Sequence, residues 1–180
     1  MTDPKATLRR LLDMSPARLD TLPKGQGIYA LYDHEGQARY IGITTKCLSD
    51  RIFKRHVGGD GNSHKFSSIY NAGRMFHTHE HPATCSKDGP VAKELRRLFV
   101  REHCRAVAVP LPGLSKDELF VVESAVLSFA PTEAMSWNNA RALNAYEPTE
   151  QLGPFLTTLG WSRDKLDSIE RQSRRWKETL

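Results

Sequence analysis

Residues 25–44, GQGIYALYDHEGQARYIGIT, hold two small aromatic triplets, Gly27-Ile28-Tyr29 and Tyr40-Ile41-Gly42, on either side of an acidic, glycine-containing break. Apolar runs rich in β-branched and aromatic residues around such a break predict a β-hairpin. Side-chain parity then decides whether the two phenols can cooperate. With an even loop centred on Glu35-Gly36, paired positions sum to 71, so Tyr29 faces Gly42 and Tyr40 faces Leu31. Both phenols then share one face as diagonal neighbours, roughly 7–8 Å apart at the backbone. Ile28, Ala30, Tyr32, Ile41 and Ile43 fall on the opposite face as a core surface, and Gly42 leaves room beside the tyrosines. An odd loop would send the tyrosines to opposite faces. Taken alone, the hairpin is more simply explained by the ordinary stability of aromatic residues in strands.

Composition bounds the rest of the chain. Its 180 residues are 39% hydrophobic, enough for one core and short of a second full-sized domain. A net charge of +5 and a pI near 9.2 lean toward a polyanionic partner and fit a plain basic protein equally. Cys47, Cys85 and Cys104 are odd in number and form no CxxC pair, which predicts reduced thiols in a cytoplasmic protein. Neither a signal-peptide core nor an apolar run of membrane-spanning length is present, so a soluble protein is expected.

Periodicity predicts a helix over 6–14 and a second over 47–57 with Ser49 as its cap. Gly58-Gly59-Asp60-Gly61-Asn62 breaks the chain, a short helix is expected within 66–76, and 77–90 reads as a polar loop. Pro90 opens a helix to about His103 whose stripe is Val91, Leu95, Leu98 and Phe99. Residues 104–110 form a strand. Ser115 and Glu118 have capping-box spacing ahead of an apolar helix to about Phe129, which Pro131 ends. Two more helices flank Gly160. Three strands among several helices predict an α+β fold.

The order GIY, an 11-residue step to YIG, Arg51 on the next helix, Glu123 within LFVVESAVLSF and Asn138 within PTEAMSWNN resembles the GIY-YIG nuclease family over roughly residues 20–140. The resemblance implies a three-stranded antiparallel sheet flanked by helices. Residues 1–145 would form the nuclease-like domain, with an insertion at about 58–90, and 146–180 a helical extension packed on it. It also implies a divalent-metal-dependent endonuclease hydrolysing DNA, duplex ahead of single strand, with Mg²⁺ or Mn²⁺ as cofactor. A stand-alone, restriction-type or mobile-element-like enzyme fits this length, cutting two strands as a homodimer or by sequential nicking. The rival is a non-catalytic nucleic-acid-binding module that keeps the fold.

Glu123 is the only charge between Leu119 and Phe129, and a buried carboxylate needs either an arginine or a hard cation. Arg51 is expected to take the scissile phosphate bidentately. The family often places a His or Tyr four residues after that arginine. Here that position is Arg55 and the histidine is His56, so the helix is distorted, or His56 has another task, or His64 replaces it. Asn138, ahead of Asn139, would orient backbone or phosphate. An ordinary phenol, with a pKa near 10, needs a cation such as Arg51, Lys24 or the metal to serve as a base. Tyr29 is the favoured base and Tyr40 the positioning group, in an order that could be reversed.

Nucleic-acid contacts are expected from Lys24, Lys54, Arg55 and His64 around the site. Lys93, Arg97 and Arg101 recur at four-residue steps on the helix from Pro90, with Arg96 widening that face. Arg163, Lys165, Arg171, Arg174, Arg175 and Lys177 load the tail, as a polyanion surface or a solvated helix face. His77, His79 and His81 with Cys85 invite a zinc reading, but the spacing fits no common zinc pattern and a loop near the DNA is preferred.

Overall fold

The computed structural model describes residues 2–58, 65–78, 86–139 and 144–180. His64, His79, His81 and Cys85 lie outside these, so the expectations placed on them are not addressed by it. Helix α1 (Pro4–Asp13) leads into the two-residue strand β1 (Ala17–Arg18), then the hairpin strands β2 (Gly27–Tyr32) and β3 (Ala38–Thr44). A π-helix (Asp50–His56), the short α2 (Lys65–Ser68) and a 3₁₀ turn (Gly73–Met75) follow. Next come α3 (Gly89–His103), β4 (Arg105–Pro110), α4 (Lys116–Phe129), a second 3₁₀ turn (Thr132–Met135), α5 (Thr149–Leu159) and α6 (Arg163–Lys177).

The fold is α+β, with an antiparallel sheet in the order β1-β4-β2-β3. The three expected strands are all present. The fourth, β1, is too short to leave an apolar-run signal and adds only Ala17 and Arg18 to the edge of β4.

Strand β2 lies between β4 and β3, and all six of its residues are buried. Because successive side chains alternate faces, it feeds two separate cores. Ile28, Ala30 and Tyr32 pack with Leu11 of α1 and Leu119, Val122 and Val126 of α4. Tyr29 and Leu31 pack on the other face with Leu48, Ile52, Phe66, Tyr70, Leu95, Phe99, Leu152 and Ile169. The C-terminal helices therefore share the core of the tyrosine face.

The hairpin turn is built by Asp33, whose buried carboxylate accepts from the backbone N–H of Glu35 and of Gln37, each at 2.9 Å, and from Arg39 Nε at 2.7 Å. Gly36 takes φ +77°, which a side chain would disfavour. Pairing follows the sum-71 register from Gly27↔Thr44 through Leu31↔Tyr40 and slips by one at Tyr32↔Ala38. The irregularity lies between the tyrosine pair and the turn, so it leaves the two phenols on one face.

Helix boundaries follow local chemistry. Ser115 and Glu118 complete the capping box, with Ser115 N–H donating to Glu118 Oε2 at 2.7 Å and Glu118 N–H to Ser115 Oγ at 3.2 Å. Ser49 is no cap: it already has helical dihedrals and its side chain bonds no amide of the helix. Its hydroxyl lies 3.2 Å from Cys47 Sγ instead. Among the described residues no helix is long and apolar enough to cross a membrane.

Several tail cations expected to face a polyanion are internal fasteners. Arg171 Nη2 and Arg175 Nη1 each lie 2.8 Å from the buried Asp88 carboxylate, joining α6 to the start of α3. Lys165 Nζ lies 3.0 Å from Glu94, and Arg163 Nε 3.0 Å from Asp167. Arg171 and Arg175 hold the Asp88 carboxyl well below its ordinary pKa, against the opposing effect of burial. A depressed acid stabilises the fold above the unfolded-state pKa of about 3.9, and that contribution fades as pH falls through the folded value. Asp88→Asn should therefore cost about 2 kcal/mol at pH 7, discounted for the partly exposed arginines. Thermal melts of the two proteins should converge steadily below pH 4.

Candidate active site

The site is assembled where the tyrosine face of the hairpin meets the π-helix. Tyr29 is fully buried, and its ring stacks on Tyr40 with centroids 6.1 Å apart and planes inclined 22°. Gly42, opposite Tyr29, permits this. A Cβ there would lie 2.8 Å from Tyr40 Cε1, 3.1 Å from Tyr29 Oη and 3.2 Å from Tyr40 Oη. The room beside the tyrosines is thus filled by the two phenols themselves.

His56 completes the cluster. Its Nε2 lies 2.7 Å from Tyr29 Oη, and its ring meets both tyrosines edge-on, 5.6 Å from Tyr29 and 5.1 Å from Tyr40. Arg51 Nε donates to Tyr29 Oη at 3.4 Å. In an α-helix residues 51 and 56 would point apart. The segment is instead a π-helix, marked by Val57 N–H donating to Ile52 O at 3.3 Å, and an i→i+5 turn places residue i+5 over residue i. Of the alternatives open in the sequence, the structure places His56 itself at the cluster through a local helix distortion.

Glu123 projects from α4 and is half-buried. Its helix is not buried all round, since Phe120, Val121 and Phe129 are exposed while Leu119, Val122 and Val126 face the core. Burial raises the Glu123 pKa, opposed by the Ile43 backbone N–H and by the Arg51 charge. Among the described residues no cation lies within ion-pair distance of it, and the Arg51 charge acts on it from farther away. The Glu123 charge in turn pushes the Tyr40 phenol upward, so the two groups sense each other.

Burial also pushes the Tyr29 phenol strongly upward, with Tyr40 adding to the effect and Arg51 only partly opposing it. Burial likewise dominates at Tyr40. The expectation that Arg51 brings a phenol into a useful range is therefore corrected: desolvation outweighs the guanidinium. Lys24 is exposed and does not figure among the charges acting on either phenol.

Asn138 works on the backbone. Its Oδ1 accepts from Ile41 N–H at 3.0 Å and its Nδ2 donates to Ile41 O at 2.7 Å, while Trp137 N–H donates to Arg39 O at 2.8 Å. These bonds cover the free edge of β3 and hold Tyr40 between two anchored residues. Asn139, by contrast, is exposed.

The basic residues expected to contact nucleic acid divide. Lys24, Arg55 and Arg97 are exposed. Lys54 pairs with Asp50 at 2.8 Å, an exposed i,i+4 pair. Arg101 Nη2 lies 3.3 Å from Asp20, and its guanidinium sits 5.2 Å from the Phe53 ring centroid. Arg96 does not widen the outer face: it is buried and donates to Asn71 Oδ1 and to Met75 O. His77 has its backbone N–H and C=O bonded by the Asn71 amide. Sequence reading missed Asn71 and Asp88: Asn71 joins nearby His77 to Arg96, 25 residues on, and the arginines on Asp88 lie 83 and 87 residues away, too far to leave a local signal.

As a metal ligand Glu123 is chemically suitable, being a desolvated oxygen donor. Among the described residues no group of three or more His, Cys, Asp or Glu is placed to hold an ion, so any ion there would take its other ligands from water and phosphate. Mg²⁺ and Mn²⁺ accept such a shell. No family model matches the chain, and neither do any curated proteins or solved structures.

Two substitutions test this geometry. Gly42→Ala should displace the stacked phenols and cost about 1–3 kcal/mol in a thermal or denaturant melt. Deleting the exposed Lys54 places the histidine four residues after Arg51 and removes the reason for the π turn. That variant should fold with Tm within about 4 °C of the parent and keep the histidine–Tyr29 contact by NMR.

Proposed function

We propose that the chain is a divalent-metal-dependent endonuclease hydrolysing DNA phosphodiester bonds, of the GIY-YIG kind. The observation that carries this reading is the convergence of Tyr29, Tyr40, Arg51 and His56 in one contact cluster, with Glu123 within electrostatic reach. Exposed Lys24, Arg55 and Arg97 and the net charge of +5 favour a polyanionic substrate.

Each residue has a task under this reading. Arg51 binds a phosphate oxygen and stabilises charge that develops on it. Tyr29 cannot hold a phenolate by itself, so its 2.7 Å bond to His56 carries the proton. The attacking water gives a proton to Tyr29 Oη as the Tyr29 proton passes to His56 Nε2. Tyr40, packed against both rings, positions the water or phosphate. Mg²⁺ or Mn²⁺ held by Glu123, when bound, supplies charge stabilisation at the leaving oxygen.

The test is cleavage of duplex and single-stranded DNA with Mg²⁺, Mn²⁺ or EDTA. Glu123→Gln should lose about 10³-fold in rate while melting at or above the parent temperature, because an acid with a raised pKa is strained when ionised at neutral pH. His56→Ala should lower the parent rate by about 10²-fold or more if the imidazole takes the Tyr29 proton. A phenol acting alone would keep the rate climbing past pH 10. Binding without cutting on every substrate would instead favour a non-catalytic module.

A further inference from the structure

Phe120 of α4 is an apolar ring on the outside of the fold. It is 47% exposed, one turn before Glu123, while Leu119, Val122 and Val126 of the same helix fill the core. At three- and four-residue steps Lys116, Phe120, Glu123 and Leu127 share one flank of the helix, with about 5–6 Å between neighbouring Cβ atoms. Leu127 packs partly into the core, so this flank shows Lys116, Phe120 and half-buried Glu123 to solvent. It borders β3, where the Glu123 carboxylate accepts from Ile43 N–H. Phe129, also exposed, points to the other flank, where Lys5 of α1 sits 4.9 Å from its ring centroid. Among the described residues no other ring meets Phe120 and no carboxylate pairs with Lys116, whose Nζ lies 5.8 Å from the Phe120 ring centroid. Of the acids nearby, Glu118 is turned back onto Ser115 N–H in the capping box, and Asp117 lies on the outer face of the helix. A phenyl ring can neither read base edges nor hold a phosphate, so its gain on meeting a nucleic acid comes from stacking.

We propose that Phe120 is a stacking platform for an unpaired nucleobase beside the bond cut, with Lys116 holding the phosphate attached to it. The assignment rests on the endonuclease reading, which brings a strand to Glu123. It adds the substrate class, DNA with an unpaired base next to the cleavage position. Inside a duplex each base is covered on both faces by its neighbours, so only an extruded or single-stranded base can lie on the ring.

The test uses the full chain in EDTA with fluorescein-labelled oligonucleotides of one sequence, read by anisotropy across a salt series. They are offered as a single strand, as a duplex and as a duplex with one bulged residue. Because Phe120 is exposed, its variants should fold like the parent. Phe120→Ala and Phe120→Leu should each weaken the single-strand and bulged complexes about tenfold and leave the duplex complex unchanged, and Phe120→Trp should bind as the parent does. Lys116→Ala should lower the log–log salt slope on the single strand by about 0.7, a slope the Phe120 variants leave alone. An unchanged slope in Lys116→Ala overturns the phosphate contact. Equal affinity of Phe120→Ala and the parent for the single strand, with cleavage intact, overturns the platform and leaves the endonuclease reading standing. Equal weakening on all the substrates, or Phe120→Leu binding like the parent, also overturns it, because the contact is then not a stacked unpaired base. Sedimentation of the parent and Phe120→Ala runs alongside. A dimer that the substitution dissociates assigns this face to a second copy of the chain and overturns the platform. Oligonucleotides that bind through Phe120 yet are never cut with Mg²⁺ or Mn²⁺ keep the platform and reject the endonuclease reading. Absence of both binding and cutting rejects the two together.

Discussion

Everything in this molecule is arranged around the two-sided burial of β2. A central strand whose six residues are all buried cannot be amphipathic, and its alternation serves two cores. Ile28, Ala30 and Tyr32 hold α1 and α4 on one side. Tyr29 and Leu31 hold the π-helix and the C-terminal helices on the other. A one-residue slip would exchange these sets, putting phenols where α4 packs and isoleucine where His56 reaches. Register therefore decides which side chains meet the π-helix as well as how the two cores pack. It is held at the turn by Asp33 and at the far edge by Asn138 and Trp137.

The same burial explains the chemistry available to the phenols. A solvent-exposed tyrosine beside an arginine would ionise more easily than usual, whereas Tyr29 in this environment is harder to ionise. Its one close ring partner with a titratable nitrogen is His56, at 2.7 Å, the contact on which the proposed proton route depends. The π-helix is the device that delivers it. π turns are rare, since their backbone geometry is less favourable than that of an α-helix, and here one places His56 against Tyr29.

How much of this was legible in the sequence depended on whether a residue's role is local. The hairpin register, the capping box and the helices either side of Gly160 are written in neighbouring residues and can be read there. Glu123 could be singled out because one charge in an apolar run is a local anomaly. The distortion that brings His56 under Arg51 was visible only as an awkward spacing, since a five-residue step has several explanations until the backbone is seen. Strand β1 was invisible because two residues have no period. The partnerships of Asp88, Asn71 and Arg96 span long stretches of chain, and nothing in their flanking residues announces them.

That last class matters most for electrostatics. Counting lysines and arginines treats every cation as available to a polyanion, but a guanidinium already bonded to a buried carboxylate is poorly free to leave it. In the C-terminal helix, Arg171 and Arg175 close on Asp88, and Lys165 closes on Glu94. Their positive charge helps attach α6 to α3. Exposed Lys24, Arg55 and Arg97 instead lie on the loop before β2, the π-helix and α3, with no such acid among their partners in the described residues.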